Sequence, residues 1–135
     1  MFGSHSKRAS AYSSIGVETG ITSASPHKLI IMLYDGAILA ISSANIAMEH
    51  KDIPAKGQAI SKAIEIISNG LQVSLNHEVG GDLVARLDAL YTYMVDRLLY
   101  ANLHNSTAAL NEVSALLSGL REAWESIGEQ ATLPA

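Results

Sequence analysis

The chain of 135 residues has no cysteine, only three prolines and few charged side chains, 16% in all. Without cysteine there is no thiol nucleophile, zinc–thiolate site or disulfide framework, and the chain suits a reducing compartment. Basic residues are also few: the chain has nine Lys and Arg and thirteen Asp and Glu. The longest basic run is Lys7-Arg8. The charge pattern of a nucleic-acid-binding protein is missing, so we expect no nucleic-acid partner.

Signals for secretion or membrane insertion are scarce as well. The first thirty residues are polar and rich in serine, without the apolar stretch of a signal peptide, so nothing in them indicates secretion. The most apolar segment, between Lys28 and Glu49, contains Asp35 near its middle and several polar residues after it. These groups are unfavourable in hydrocarbon, and we therefore expect no membrane insertion.

What the chain does contain is apolar residues at helical spacing. The pattern predicts four helices of about 22 to 25 residues, each long enough to span about 33 to 37 Å. Capping residues indicate where they begin and end: Ser25-Pro26 before the first, Asp52 before the second, Asp82 after a glycine pair before the third, Asn105 or Ser106 before the fourth, and Gly128 at its end.

Helices of matched length with short connections favour an all-α fold, an antiparallel four-helix bundle. We assign the bundle to residues 25–128. Residues 1–24, rich in Ser, Gly and Thr, are predicted to form an extended N-terminal arm that lies on the bundle. Residues 129–135 are predicted to form a loose C-terminal tail.

Patterns for catalysis or metal binding are hard to find. No two of the five histidines share a helix face, no Glu precedes a His by three residues, and the phosphate-binding glycine motifs are absent. Asp35, isolated in an apolar helix, is a candidate general acid. The alternative is a solvated position or an ion pair with a cation such as Arg97. Because no second acid lies near Asp35 in sequence, we expect no enzyme. The histidine spacing and the missing phosphate-binding motifs lead us to expect no metal and no cofactor.

Two of the helices carry more apolar residues than one buried stripe requires. This surplus is either covered by the arm and by wide helix packing, or it forms a groove for an amphipathic helix of a partner. In the first helix the surplus is Ile30, Ile31, Met32, Ile38 and Ala40, and in the third it is Val84, Tyr93, Val95, Leu99 and Tyr100.

A series of short motifs resembles the flagellin-specific export chaperone family, FliS. The resemblance covers about residues 11 to 127, and its specificity lies in the order and spacing of the motifs. They include AY at 11–12, SASPHKLI at 23–30, MLYDGA at 32–37, SLN at 74–76, GGDL at 80–83, LYTYM at 90–94, AN at 101–102 and LREAW at 120–124.

This resemblance implies a non-enzymatic chaperone in the cytoplasm of a flagellated bacterium. Such chaperones bind the disordered C-terminal region of flagellin, prevent premature polymerisation and aid delivery to the flagellar type III export apparatus. The implied partners are this flagellin segment and the flagellar export gate, and no cofactor is implied. The oligomeric state stays open.

The resemblance and the apolar surplus together suggest partner-binding residues. In the arm they are Tyr12, Ile15 and Val17, which we expect to move or to meet the client. In the bundle they are Leu33, Tyr34, Tyr91, Met94, Leu98 and Ala101, with Asn102 as a polar contact that fixes the register. An alternative function is a helical adaptor or structural bundle that self-associates through the same surplus surface. A small enzyme that uses Asp35 is a third hypothesis.

Overall fold

The computed structural model describes residues 24–128, and within that range it contains four helices and no strand. Helix α1 spans Pro26–Glu49, α2 spans Ile53–Ile66, α3 spans Gly81–His104 and α4 spans Thr107–Ile127. After α2 the chain continues as a π-helical turn, Ile67–Leu71, and a 3-10 turn, Gln72–Ser74. The predicted length of about 22 to 25 residues is therefore wrong for α2, whose α-helical part has 14 residues. The predicted all-α fold is confirmed. The predicted arm, up to residue 23, and the predicted tail lie outside the described residues.

Local caps account for most of the helix starts. At α1, α2 and α4 a side-chain oxygen accepts a hydrogen bond from the backbone N–H three residues later, and the caps are Ser25, Asp52 and Ser106. The prediction that Asp82 caps α3 is wrong, because Gly80 occupies that position without a side-chain hydrogen bond. Asp82 instead lies in the first turn of α3, where its charge stabilises the positive helix end.

Side-chain contacts between helices establish an antiparallel arrangement. His27, in the first turn of α1, contacts Trp124 near the end of α4. Gln72, just after α2, donates a hydrogen bond to the Asp88 carboxylate near the start of α3, at 2.8 Å. Since α1 packs against α2 and α4, and α3 packs against the same two helices, the four form an up-down-up-down bundle. The predicted topology is confirmed.

Apolar side chains from all four helices meet in one core, and their removal from water is the main favourable contribution to folding. The chain approaches α1 closely at Gly70 in the π turn, where an added Cβ would lie 3.0 Å from Cδ2 of Leu33. The lack of a side chain at Gly70 permits this approach. The most deeply buried large side chains are Ile41, Ile60, Ile67, Leu71, Met94, Leu98, Leu110, Val113 and Leu117.

Helix α1 is the one helix of residues 24–128 that is long and apolar enough to cross a membrane, judged by length and composition alone. In the structure nine of its 24 residues are buried against the rest of the bundle, including Ile41 and Ala44 in the core. Its apolar character is therefore accounted for by its central packing position.

Candidate functional site

The bundle residues predicted to bind a partner lie mainly inside the protein. Each of Leu33, Tyr34, Tyr91, Met94, Leu98 and Ala101 is 6% exposed or less, so in this structure they do not line an open groove. The reason is that they occupy the stripes of α1 and α3 that face the bundle axis. Asn102 does reach the surface, in a groove described below. The arm residues Tyr12, Ile15 and Val17 lie outside the described residues.

Two of these core residues form a polar contact between α1 and α3. The hydroxyls of Tyr34 and Tyr91 are hydrogen-bonded at 2.7 Å, and the two residues are 4% and 2% exposed. Burial raises the pKa of both hydroxyls above the usual 10, because a phenolate would be poorly solvated there. Both side chains are therefore neutral at pH 7, and their single hydrogen bond, in which one hydroxyl donates and the other accepts, gives each oxygen a partner in an apolar core.

The apolar surplus of the third helix lies partly outside the core. Tyr93, Leu99 and Tyr100 are 42%, 53% and 40% exposed, and Leu103, one turn further along, is 77% exposed. Two exposed alanines continue the same helix face toward its N-terminus, and the row extends over about 27 Å at 1.5 Å per residue. An exposed apolar row of this kind is typical of an interaction site. We call it the α3 stripe: Ala85, Ala89, Tyr93, Leu99, Tyr100 and Leu103.

A polar network orients the tyrosines of the α3 stripe. The Glu112 carboxylate of α4 accepts hydrogen bonds from the Tyr93 hydroxyl and, at 2.8 Å, from Nε of Arg97. Both hydrogen bonds lower the pKa of Glu112, and the bond from Tyr93 contributes more than the bond from Arg97. The Arg97 guanidinium lies over the Tyr100 ring, 4.6 Å from its centroid. Tyrosines that are already oriented lose less conformational entropy when they bind.

The α3 stripe adjoins a wide groove between α2 and α3. The groove is shallow and open, with a volume of about 930 Å³. It is lined by one residue of α3 and seven of α2: Asn102, Ile53, Pro54, Gly57, Gln58, Ser61, Lys62 and Glu65. Leu99 precedes Asn102 by one helical turn, so the stripe forms one border of the groove. Nothing lies within 4 Å of a Cβ added at Gly57, so the α2 side of the groove is open there. The stripe offers apolar surface and the adjoining groove a lining of mostly polar residues, and an amphipathic helix has one face for each.

The candidate acid Asp35 belongs to a surface ion pair. Its carboxylate accepts hydrogen bonds from Arg121 of α4, which also donates to Glu125 at 3.0 Å. The suggested ion pair with Arg97 is not formed, because α4 lies beside this face of α1 and Arg97 is paired with Glu112 instead. Asp35 is exposed and already paired, which is the environment of an ordinary surface salt bridge. Within residues 24–128 no group of three His, Asp or Glu is placed to hold a metal ion.

A contact that was not predicted from the sequence joins the start of α1 to the end of α4. His27 is 8% exposed, and its Nε2 lies 2.8 Å from the Trp124 carbonyl oxygen, to which it donates. The Trp124 indole N–H donates in return to the His27 carbonyl at 3.2 Å, and the two rings stack with centroids 5.4 Å apart. The sequence did contain a signal for this contact: His27 lies in the first turn of one predicted helix and Trp124 in the last turn of another, and these ends meet when the two helices are antiparallel.

A second buried polar residue, Lys56, was also missed. It is 7% exposed, and its ammonium donates to the Asn102 carbonyl at 2.9 Å and to Oδ1 of Asn105 at 2.6 Å. Asn105 ends α3 with a left-handed φ of 51°. A cation placed here stabilises the negative C-terminal end of α3.

A helical bundle with an exposed apolar row is typical of proteins that bind other proteins. A family model described as "Flagellar protein FliS" matches residues 8–131. The flagellar secretion chaperone FliS of Salmonella typhimurium is 49% identical over 122 residues, 90% of each chain, and that of Escherichia coli is 46% identical over 119 residues, 88% of each chain. The flagellar secretion chaperone FliSB of Pseudomonas aeruginosa is 43% identical over 121 residues, 90% of this chain and 95% of the relative.

This chain therefore belongs to the FliS family of flagellar secretion chaperones. The family assignment made from short motifs is confirmed, and with it an export chaperone role.

Proposed function

We propose that this protein binds the disordered C-terminal region of flagellin in the bacterial cytoplasm, without catalysing a reaction. Bound in this way, flagellin is kept from polymerising prematurely and is delivered to the flagellar type III export apparatus through its export gate. The observation that carries the proposal is the exposed α3 stripe beside the groove, on a chain of the FliS family.

The physical basis is coupled folding and binding. A disordered segment gains helical structure when its apolar face is buried against a complementary surface, and this burial offsets the entropy lost on ordering. Tyr93 and Tyr100 combine large apolar rings with hydroxyls at the water boundary, a character common in binding surfaces. Between Ala89 and Leu103, α3 has two charged side chains, the exposed Asp96 and Arg97, which is 31% exposed. The central part of the surface therefore combines apolar side chains with these two charges.

The first test is calorimetric titration with a peptide that covers about the last forty residues of the cognate flagellin, with a scrambled peptide as control. We expect stoichiometric binding with a negative heat-capacity change, since apolar surface is buried as the peptide folds. A well-folded bundle that does not bind the cognate peptide would contradict the proposal.

The surface is tested by a double substitution, Leu99→Ser with Leu103→Ser. Truncating an anchoring leucine weakens binding by about 1 to 2 kcal/mol, so we expect the pair to lower affinity roughly 30- to 1,000-fold. Leu39→Ser is the matched control, because Leu39 is 68% exposed but lies on α1. Helical content is checked in all variants. Equal affinity of the double variant and the control would place the binding surface elsewhere.

The proposal assigns a role to each partner-binding residue that was predicted from the sequence. Tyr12, Ile15 and Val17 remain predicted contacts of the arm, and Tyr12→Ala in the same titration tests them. Asn102 is the predicted register contact, now at the border of the groove. A client could touch Leu33, Tyr34, Tyr91, Met94, Leu98 or Ala101 only after the helices separate, because all six are buried.

The alternative, an adaptor that self-associates, rests on the same exposed α3 stripe. In that case the molecular mass measured by sedimentation would rise with protein concentration, and the Leu99→Ser, Leu103→Ser variant would stay monomeric. A mass independent of concentration would exclude this alternative.

A further inference from the structure

A second, smaller pocket lies at the turn between α1 and α2, close to the end of α3, and shares Ile53 with the groove. It encloses about 300 Å³, the lower end of the range for ligand pockets and enough for one or two side chains. Its lining combines apolar groups with two lysines: Ala47, Met48, Lys51, Asp52, Ile53, Lys56 and Asn105.

The charge of Lys56 is the unusual feature of this pocket. The three arginines of residues 24–128 each pair with a carboxylate, whereas the buried ammonium of Lys56 is bonded only to the neutral oxygens of Asn102 and Asn105. An ammonium has three N–H donors, and two are used by these described residues. A buried charge with neutral partners only is more stable when a carboxylate reaches it.

The other charged groups of the pocket favour an anion as well. Lys51, which is exposed, adds a second positive charge to the lining. Asp52 is the only acid there, and its Oδ1 already accepts the Ala55 N–H at 3.2 Å as the cap of α2. The walls next to these charges are aliphatic, formed by Ala47, Met48 and Ile53.

We propose that this pocket binds the C-terminal residue of a partner polypeptide. The free carboxylate lies on Lys56, with Lys51 nearby, and an aliphatic side chain of the same residue packs against Ala47, Met48 and Ile53. A chain end fits because the cationic and apolar groups share one small pocket, and a terminal aliphatic residue carries both complementary groups on one Cα. An acidic side chain inside a sequence lacks the aliphatic part.

The direct test compares three small probes by NMR titration of the uniformly ¹⁵N-labelled protein. N-acetyl-leucine represents a leucine chain end, N-acetyl-leucinamide has the same shape without the charge, and N-acetyl-glutamic acid α-amide represents an internal acidic side chain. We expect N-acetyl-leucine to shift the amide signals of the pocket residues and to bind roughly tenfold or more tightly than either other probe. Equal affinity for the leucine amide, equal affinity for the glutamate probe, or shifts outside the pocket would each overturn the proposal.

Lysine substitutions test whether the positive charge of the pocket, rather than its shape, gives the preference for a carboxylate. Lys56→Met is expected to abolish the preference for the carboxylate. The control Lys28→Met, an exposed position in the first turn of α1 outside both this pocket and the groove, is expected to leave it unchanged. Because Lys56 also caps α3, thermal unfolding is measured for each variant. If Lys56→Met does not fold, the exposed Lys51→Met replaces it, with an expected loss of a few-fold in carboxylate preference. An unchanged preference in the folded lysine variant would contradict the proposal.

The inference does not depend on flagellin as the client. The probes contain no flagellin sequence. The pocket includes no residue of the α3 stripe and shares only Ile53 with the groove. Failure of the probe titration leaves the proposed chaperone function intact, and failure of the flagellin titration leaves the chain-end pocket intact.

Discussion

The buried tyrosine pair allows a decisive test of whether Tyr34 and Tyr91 stabilise the core or bind a partner. Replacing either by Phe removes one hydroxyl and leaves the other without its partner in an apolar environment, since the two residues are 4% and 2% exposed. An unsatisfied buried hydroxyl lowers the free energy of unfolding by about 1 to 3 kcal/mol. The double replacement removes both polar groups and keeps the rings, so we expect it to be nearly neutral.

The measurement is a double-mutant cycle by urea unfolding. With a slope of about 2 kcal/mol per molar urea, typical of small proteins, each single variant is expected to shift the midpoint down by roughly 0.5 to 1.5 M. The double variant is expected to regain most of that shift, so that the cycle shows a coupling of at least about 1 kcal/mol.

Two results would refute this reasoning. The first is a pair of single variants as stable as the unmodified protein, and the second is a double variant whose loss equals the sum of the single losses. The flagellin titration adds a functional readout. If Tyr34 and Tyr91 serve only the core, the stable double variant binds the peptide with unchanged affinity.

Two further expectations concern stability. Burial raises the pKa of both core hydroxyls, so their contribution is complete below about pH 10, the unfolded value, and declines as pH rises from there toward the folded pKa. Unfolding free energy should therefore fall above pH 10 by up to about 1.4 kcal/mol per pH unit for each tyrosine, and the double Phe variant should show a flatter decline in the same buffers. Trp124→Phe removes the indole N–H bond to the His27 carbonyl and is expected to lower stability by about 1 kcal/mol or more. A thermal midpoint equal to that of the unmodified protein would show that this contact does not hold α1 to α4.

Much of the fold follows from local sequence signals. The hydroxyl and carboxylate caps at Ser25, Asp52 and Ser106 act within three residues of their own position, so the helix starts were accessible without tertiary information. Gly128 ends α4 with a φ of 53°, a conformation that glycine adopts without steric penalty. The exception was Asp82, where the first helical residue is a glycine and no side chain caps the helix.

The candidate site could be predicted from the sequence only in part. The sequence showed that α3 carries more apolar residues than one buried stripe requires, but periodicity alone does not say which of them face the neighbouring helices. The stripe that contains Met94 and Leu98 became core, and the one that contains Tyr100 and Leu103 stayed exposed. That choice depends on how α2 and α4 are placed around α3, which is a property of the assembled bundle.

The sequence by itself determined the helices, their connections and, through the order of its motifs, the family. Only the tertiary structure decided which distant polar groups meet. Asp35 and Arg121 are 86 residues apart, and His27 and Trp124 are 97 apart, yet each pair is in contact. The physical reason is that caps and periodicity act over one or two helical turns, whereas these contacts exist only where packed helices bring opposite parts of the chain together.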